Sequence, residues 1–162
     1  MSDSFTNVFL TSYDVESLFT PIPVERTIEH ICTIVPSSEL PFDKSTLKDL
    51  LLLSCKNIVF SFNNTMYEQF DGMCMGLNLG PTMAAYAMHM VESKYLFKPL
   101  FYTRYVDDVF AAFNNMEEAE IFHQHICTID PNIKFTCEDE KDGELVFLDT
   151  CIFKHLDKLE TM

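Results

Sequence analysis

Two adjacent carboxylates, Asp107 and Asp108, are the side chains of this sequence best suited to do chemistry. They lie within residues 101–113, where the residues on either side read as two short strands. Aspartate is tolerated in tight turns, so the pattern predicts a hairpin with the Asp-Asp pair at its tip. Holding two charged carboxylates beside apolar strands costs free energy of folding unless a cation binds them. The segment therefore favours a cation site, although an ordinary solvated turn could also contain Tyr-Val-Asp-Asp.

A third carboxylate, Asp14, is predicted to end a strand formed by residues 5–14. If this strand neighbours the hairpin in one sheet, three carboxylates converge at one edge and raise each other's pKa unless cations neutralise them. Mg²⁺ suits such a site because it prefers oxygen ligands. Two ions could activate a hydroxyl and stabilise a leaving pyrophosphate. We therefore expect two Mg²⁺ ions, which Mn²⁺ could replace.

The elements that must position these carboxylates indicate an α+β fold: an antiparallel sheet with helices packed on one face and the carboxylate hairpin at the sheet edge. Helices are predicted from apolar spacing and caps, and hairpins from two-residue turns. The predicted inward residues are Ile28, Ile31, Cys32 and Val35; Leu47, Leu50, Leu51 and Ser54; Met83, Ala84, Ala87, Met88 and Val91; and Ala119, Phe122, Ile126 and Ile129. The predicted caps are Asp43, Gly80-Pro81 and Asn115 with Glu118, and the predicted hairpins turn at Asn63-Asn64 and at Asp142-Gly143, between strands 133–138 and 145–153.

The composition of the chain limits its domain number, its cellular compartment and its binding partners. The 162 residues suffice for a single domain, and no apolar run or amino-terminal pattern indicates a membrane span or a signal peptide. Six scattered cysteines favour free thiols in an intracellular setting. His123, His125 and Cys127 fit a surface patch of a helix better than a zinc site. Eleven basic residues against 25 acidic ones give a net charge of −14, which is opposite in sign to the usual surface of a nucleic-acid binder.

Four segments, taken in order, resemble the palm of reverse transcriptases, and most closely that of Penelope-like retroelement enzymes. They are residues 12–23 (Ser-Tyr-Asp-Val-Glu-Ser-Leu-Phe-Thr-Pro-Ile-Pro), 72–76 (Gly-Met-Cys-Met-Gly), 104–108 (Arg-Tyr-Val-Asp-Asp), and 135–140 (Phe-Thr-Cys-Glu-Asp-Glu) followed by Phe-Leu-Asp at 147–149. The resemblance covers nearly the whole chain. It implies an RNA-directed DNA polymerase that extends a DNA primer along an RNA template with deoxynucleoside triphosphates.

The resemblance also implies roles for single residues. Asp14 and Asp107 would be the principal metal ligands, with the Val15 carbonyl as a further oxygen donor and Asp108 in support. Phe19 would be the gate that excludes a ribose 2′-hydroxyl. Contacts with nucleotide or nucleic acid are implied for Gly72, Gly76, Arg104 and Tyr105. Either Lys134 or Lys141 could protonate the pyrophosphate, and the sequence does not choose between them.

Two departures bear on activity. Where related loops read Ser-Pro-x-Ser-Pro, this chain has Leu77-Asn78-Leu79-Gly80-Pro81, so hydroxyls expected at the template are replaced. The chain also begins just before the Asp14 strand, so we expect basic fingers, a thumb and an endonuclease region to lie elsewhere in a longer polyprotein, which would account for the charge of −14. The alternative is a catalytically incompetent retroelement fragment acting at most as a nucleic-acid or protein interaction domain. An unrelated acidic metal-binding domain is a weaker third reading. A nuclear location follows from the resemblance only.

Overall fold

The computed structural model describes residues 8–155 and 158–162. Along the chain these form β1 (Phe9–Val15), α1 (Val24–Ile34), a 3₁₀ turn (Ser37–Glu39), α2 (Lys44–Cys55), β2 (Val59–Phe62), β3 (Thr65–Glu68), α3 (Gly80–Glu92), β4 (Phe101–Tyr105), β5 (Asp108–Phe113), α4 (Met116–Ile129), β6 (Phe135–Asp139), β7 (Glu144–Phe147), β8 (Thr150–His155) and β9 (Lys158–Thr161). The chain divides into two compact units, one formed by Met1–Glu16 with Lys94–Met162 and the other by Ser17–Ser93. Within the described residues, no helix is long and apolar enough to cross a membrane.

The first unit is built on a four-stranded antiparallel sheet with the order β4-β5-β1-β6. Side chains alternate along the central strand β1, and Thr11, Tyr13 and Val15 are buried on one face. Helix α4 packs on this face, where the rings of Tyr13 and Phe122 lie 5.8 Å apart and the Tyr13 hydroxyl donates to the Ala119 carbonyl at 3.4 Å. The predicted α+β class is confirmed, with a helix covering one face of an antiparallel sheet.

The second face of this sheet is partly covered by strands. β7, β8 and β9 form a separate three-stranded antiparallel sheet. Leu145 of β7 is buried in one apolar cluster with Leu10 of β1 and Phe110 of β5. Burial on both faces explains why Val109–Phe113, the inner part of β5, is apolar throughout and fully buried.

A polar connection joins the same strands. Immediately after β6, the Glu140 carboxylate accepts a hydrogen bond from the Leu10 amide at 2.9 Å and another from the Lys154 ammonium of β8. Both side chains of the Glu140–Lys154 ion pair are largely buried, at 11% and 19% exposure. Because a buried charge must be paired, this contact ties β8 to β1 specifically.

The predicted starts of two helices are confirmed. The Asp43 side chain accepts from the Thr46 amide at 2.7 Å at the start of α2, and Asn115 accepts from the Glu118 amide at 2.9 Å at the start of α4. The Glu118 carboxylate in turn accepts from the Asn114 amide at 3.2 Å, so the side chains at this end satisfy each other's backbone groups.

The second unit contains α1, α2, α3 and the β2–β3 hairpin, and its buried faces match the sequence prediction in part. Helix α3 buries all five predicted residues, and α1 buries Ile28 and Ile31. The prediction for α2 was wrong for Leu50 and Ser54, which are exposed. Its covered side passes through Leu47 and Leu51 and ends at Cys55, following the spacing of four residues that places side chains on one face.

The β2–β3 hairpin turns at Asn63-Asn64, as predicted. Both residues have positive φ (48° and 60°), which suits the tight turn that joins twisted strands. All eight strand residues are exposed, including Phe60 and Phe62.

The prediction for the carboxyl-terminal region was wrong in its pairing. Residues 145–153 do not form one strand, because a turn at Leu148 (φ 54°) and Asp149 divides them between β7 and β8. β6 pairs with β1, and across the Asp142-Gly143 turn Lys141 pairs with Glu144. Residues 5–7 of the predicted first strand lie outside the described residues.

Candidate catalytic carboxylate site

The tip of the β4–β5 hairpin is a two-residue turn formed by Val106 and Asp107. Tyr105 and Asp108 are the last paired residues of the two strands, so Asp108 already belongs to β5. Val106 has φ 58°, a left-handed conformation that is rare and costly for a β-branched residue. The Arg104 guanidinium donates to the Val106 carbonyl at 2.9 Å and so supports this turn. The hairpin thus holds a strained backbone at the two carboxylates.

Strand pairing brings Asp14 to the same place. Asp14 lies directly opposite Asp108 in the β1–β5 register, and the Val15 amide donates to the Asp107 carbonyl at 3.3 Å. Directly opposed residues of antiparallel strands project from the same face. The convergence of Asp14 with the hairpin carboxylates is therefore observed, although β1 and β5 are far apart in sequence.

The electrostatics of the site follow from this proximity. Partial burial raises the pKa of Asp14, and the charges of Asp107 and Glu16 raise it further. Burial likewise raises the pKa of Asp108, with added repulsion from Asp107 and Asp14. Like charges held together disfavour the ionised form unless a cation neutralises them. A cation bound between these carboxylates would relieve their repulsion.

The donor chemistry fits Mg²⁺, which takes carboxylate and carbonyl oxygens and keeps part of its water shell. Within residues 8–155 and 158–162, no three His, Cys, Asp or Glu side chains are already arranged around one point as ligands of a metal. The Asp14–Asp108 face thus supplies a paired carboxylate edge, and the remaining coordination positions of a bound ion would be filled by water, backbone or substrate oxygens.

A cavity of about 340 Å³ opens at this edge. Asp14 and Asp108 line it together with Thr136 of β6 and the β7–β8 turn, whose Leu148 and Asp149 border the same space. Thr136 lies opposite Asp14 in the β1–β6 register, and its hydroxyl donates to the Asp14 carbonyl at 3.5 Å. Sequence reasoning quoted the segments that contain Thr136 and Asp149 but assigned them no place at the site. Asp149 reaches the cavity through the turn at Leu148, and the sequence gives no sign of this turn because it contains no glycine.

Gly72 and Phe19 belong to the Ser17–Ser93 unit, where the backbone around Gly72 lies against the backbone around Phe19. The Met73 amide donates to the Phe19 carbonyl at 2.8 Å. Gly72 has φ +74°, and a Cβ atom at this position would lie 2.3 Å from the Thr20 carbonyl oxygen. The close approach of two backbone segments therefore requires glycine here, which is a structural reason that sequence reasoning did not provide.

Phe19 and Gly76 differ from Gly72 in their surroundings. The Phe19 ring is half-buried and packs on the first turn of α3, where a Cβ atom on Gly80 would lie 3.3 Å from the ring. Gly76 has φ +94° and no heavy atom within 4 Å of a Cβ built on it, so its backbone faces open space. The implied contacts of Phe19 and Gly76 with a nucleotide stay predictions, as does the contact of the exposed Tyr105 with nucleic acid.

Cysteine and histidine side chains form no metal-binding group of three or more within the described residues. The His123 ring approaches the Phe135 carbonyl at 3.4 Å, and His125 lies 3.2 Å from the Leu96 amide. A larger cavity of about 740 Å³ in the Ser17–Ser93 unit is lined by both acidic and basic side chains, among them Glu25 and Lys56, and contains none of the three aspartates.

Comparisons with known proteins identify the family and the fold. Residues 3–141 match the family model described as reverse transcriptase (RNA-dependent DNA polymerase). Among solved structures, apo telomerase from Candida tropicalis truncated from its C-terminal domain superposes with a TM-score of 0.72 at 10% identity, over 96% of this chain and 35% of that one. Telomerase from Candida albicans in complex with a TWJ fragment of telomeric RNA gives a TM-score of 0.71 at 9% identity, over 94% and 31% of the two chains.

At such low identity the structures show a shared fold, and this chain spans about a third of their length. No curated protein matches the sequence. The family model covers most of the chain and includes the Asp14 strand, the segment from Gly72 to Gly76 and the Asp-Asp hairpin. On these grounds the chain belongs to the reverse transcriptase family.

Proposed function

We propose that this chain is the palm module of an RNA-directed DNA polymerase encoded by a Penelope-like retroelement. The observation that carries the proposal is the register that sets Asp14 opposite Asp108, beside Asp107, in a member of the reverse transcriptase family. The Penelope-like assignment has a narrower basis, namely the four segments at 12–23, 72–76, 104–108 and 135–149. The remaining regions of such an enzyme, fingers, thumb and endonuclease, would be supplied by a longer polyprotein acting in the nucleus.

The carboxylates would hold two Mg²⁺ ions, for which Mn²⁺ could substitute. Bound there, the ions supply Lewis acidity that activates the primer 3′-hydroxyl and stabilises the leaving pyrophosphate. Asp14 and Asp107 act as the principal ligands, Asp108 supports them, and the Val15 carbonyl is a further oxygen donor. The raised pKa values of Asp14 and Asp108 favour this role, because neutralising repelling carboxylates contributes to ion binding.

The reaction joins a deoxynucleotide to a DNA primer on an RNA template. The primer 3′-oxygen forms a bond to the α-phosphorus while the bond from the α-phosphorus to the leaving pyrophosphate breaks. Phe19 would exclude a 2′-hydroxyl, and the open backbone at Gly76 would approach nucleotide or template. Arg104 and the exposed Tyr105 would contact nucleic acid beside the hairpin. With a net charge of −14, the chain relies on metal ions and on regions outside it to hold phosphates.

Primer extension tests this proposal. The chain is incubated with a DNA primer on an RNA template, deoxynucleoside triphosphates, and Mg²⁺ or Mn²⁺. We expect only weak extension by the unmodified chain, because the regions that help to hold phosphates lie outside it. We expect this extension to be lost in Asp107→Asn and kept in Asp49→Asn, which makes the same carboxylate-to-amide change at an exposed position of α2. Failure of the unmodified chain with both metals would instead favour the catalytically incompetent fragment that acts at most in binding.

A further inference from the structure

His30 and His89 form a pair that the proposed polymerase reaction does not use. They lie on α1 and α3 of the Ser17–Ser93 unit, with His30 Nε2 and His89 Nδ1 2.9 Å apart. The ring centroids are 5.2 Å apart and the ring planes differ by 35°. When both rings are neutral, one of these two nitrogens carries a hydrogen and donates it, and the facing nitrogen of the other ring accepts it with its lone pair.

The spacing of the two nitrogens is close to what a metal ion requires. A tetrahedral ion with metal–nitrogen bonds of about 2.0–2.1 Å holds two ligand nitrogens about 3.3 Å apart. The observed 2.9 Å differs from this by a few tenths of an ångström. With the centroids 5.2 Å and the nitrogens 2.9 Å apart, the two nitrogens face each other, so each ring must rotate by about 35° to turn its lone pair toward one tetrahedral ion. His89 is exposed and His30 half-buried, which leaves room for such rotations.

The helices hold the pair in place before any ion binds. α1 and α3 are in contact, and each buries apolar residues on both sides of its histidine in sequence. These are Ile28 and Ile31 on α1, and Met88 and Val91 on α3. A pair of ligands positioned by packed helices loses little conformational freedom on binding.

We propose that His30 and His89 together bind a transition-metal ion such as Ni²⁺, Cu²⁺ or Zn²⁺, with water completing the coordination, and so cross-link α1 to α3. Imidazole suits these ions, whereas Mg²⁺ prefers oxygen, so this site and the carboxylate site select different metals. No third histidine, cysteine or carboxylate ligand is in place in the described part of the chain, so affinity is expected to be lower than in four-ligand structural sites.

The test is a Ni²⁺ titration of the full chain, followed by thermal unfolding in a reducing buffer free of imidazole. Ni²⁺ is the probe because the six cysteines compete strongly for Zn²⁺. Excess Ni²⁺ should raise the Tm by about 2–5 °C, since a ligand that binds only the folded state stabilises it. His30→Gln and His89→Gln should each remove most of the shift, because glutamine keeps hydrogen-bonding groups but not the imidazole lone pair; any remainder would come from Ni²⁺ at the carboxylates.

His155→Gln is the matched control and should keep the full shift, since this exposed histidine contacts Glu160 on the neighbouring strand. A second readout, independent of variant folding, is selective broadening of the His30 and His89 ring signals by Ni²⁺ in NMR spectra of the unmodified chain. An absent shift in that chain, or shifts in the glutamine variants as large as in the unmodified chain, would overturn the proposal. Either result leaves the polymerase proposal intact, because that activity is scored with Mg²⁺ and Asp107.

Discussion

Asp14 lies directly opposite Asp108 on the neighbouring antiparallel strand, and the Val15 amide holds the Asp107 carbonyl at 3.3 Å. The backbone pairing of β1 with β5 therefore keeps these carboxylates together although their charges repel. Binding of a cation, as proposed above, would relieve that repulsion.

The first prediction concerns pH in the absence of divalent ions. The folded pKa values of Asp14 and Asp108 are raised, by burial first and by neighbouring carboxylates next. Between the unfolded pKa of about 3.9 and these raised values, the folded state binds more protons than the unfolded state. The free energy of unfolding therefore decreases as pH rises through that window. Above the window both groups are ionised in the folded and unfolded states, and the loss of stability has reached its full value.

Urea unfolding at a series of pH values measures this effect. Asp108→Asn should flatten the loss of stability with rising pH relative to the unmodified chain, and saturating Mg²⁺ should flatten it as well. Asp49→Asn serves as the control at an exposed helix position. Parallel pH profiles for Asp108→Asn and the unmodified chain would show that the predicted repulsion is absent.

A second prediction compares two glycines of positive φ. Gly72→Ala places a Cβ atom 2.3 Å from the Thr20 carbonyl oxygen, so the backbone must shift, and we expect a loss of at least about 2 kcal/mol in unfolding free energy. Gly76→Ala meets no atom within 4 Å and should cost only the strain of its φ, about 1–2 kcal/mol. Denaturant unfolding of both variants checks the order, and a larger loss at Gly76 would contradict it.

A third prediction concerns the Glu140–Lys154 ion pair. Lys154→Met leaves the largely buried Glu140 carboxylate without its ammonium partner, which should cost about 3 kcal/mol. The double variant Glu140→Gln/Lys154→Met should lose less than the sum of the single variants, because removing both charges leaves neither of them buried without a partner. A double-mutant cycle measures this coupling, expected at about 1–3 kcal/mol. Additive losses would mean that the two side chains act independently.

A fourth prediction rests on the proposed function and concerns sugar selection. In an active polymerase, Phe19→Ala removes the bulky ring, and incorporation of ribonucleotides relative to deoxynucleotides should increase by about tenfold or more. Phe70→Ala is the matched control, since Phe70 lies in the same unit and is fully exposed. Steady-state incorporation of both sugars gives the ratio, and an unchanged ratio in Phe19→Ala would exclude the gate role.

Local features of the fold were predictable because local chemistry dictates them. Asp43 and Asn115 cap helices through their own side chains, and Asn63-Asn64 adopts the positive φ values of a tight hairpin. The turn at Leu148 was missed because leucine is a poor turn residue, and its φ of 54° is imposed by the pairing of β7 with β8. Leu50 was placed inward because spacing alone does not say which side of an apolar helix meets a neighbour.

The amino-acid sequence by itself determined the residue types available to this protein: three aspartates in segments typical of a reverse transcriptase, and a net charge of −14. Only the tertiary structure decided the geometry. It set Asp14 opposite Asp108, brought Thr136 and Asp149 to the same cavity, and pressed Gly72 against Thr20. The physical reason is that side-chain type acts locally, whereas strand register and backbone contact depend on the packing of segments that are distant in sequence.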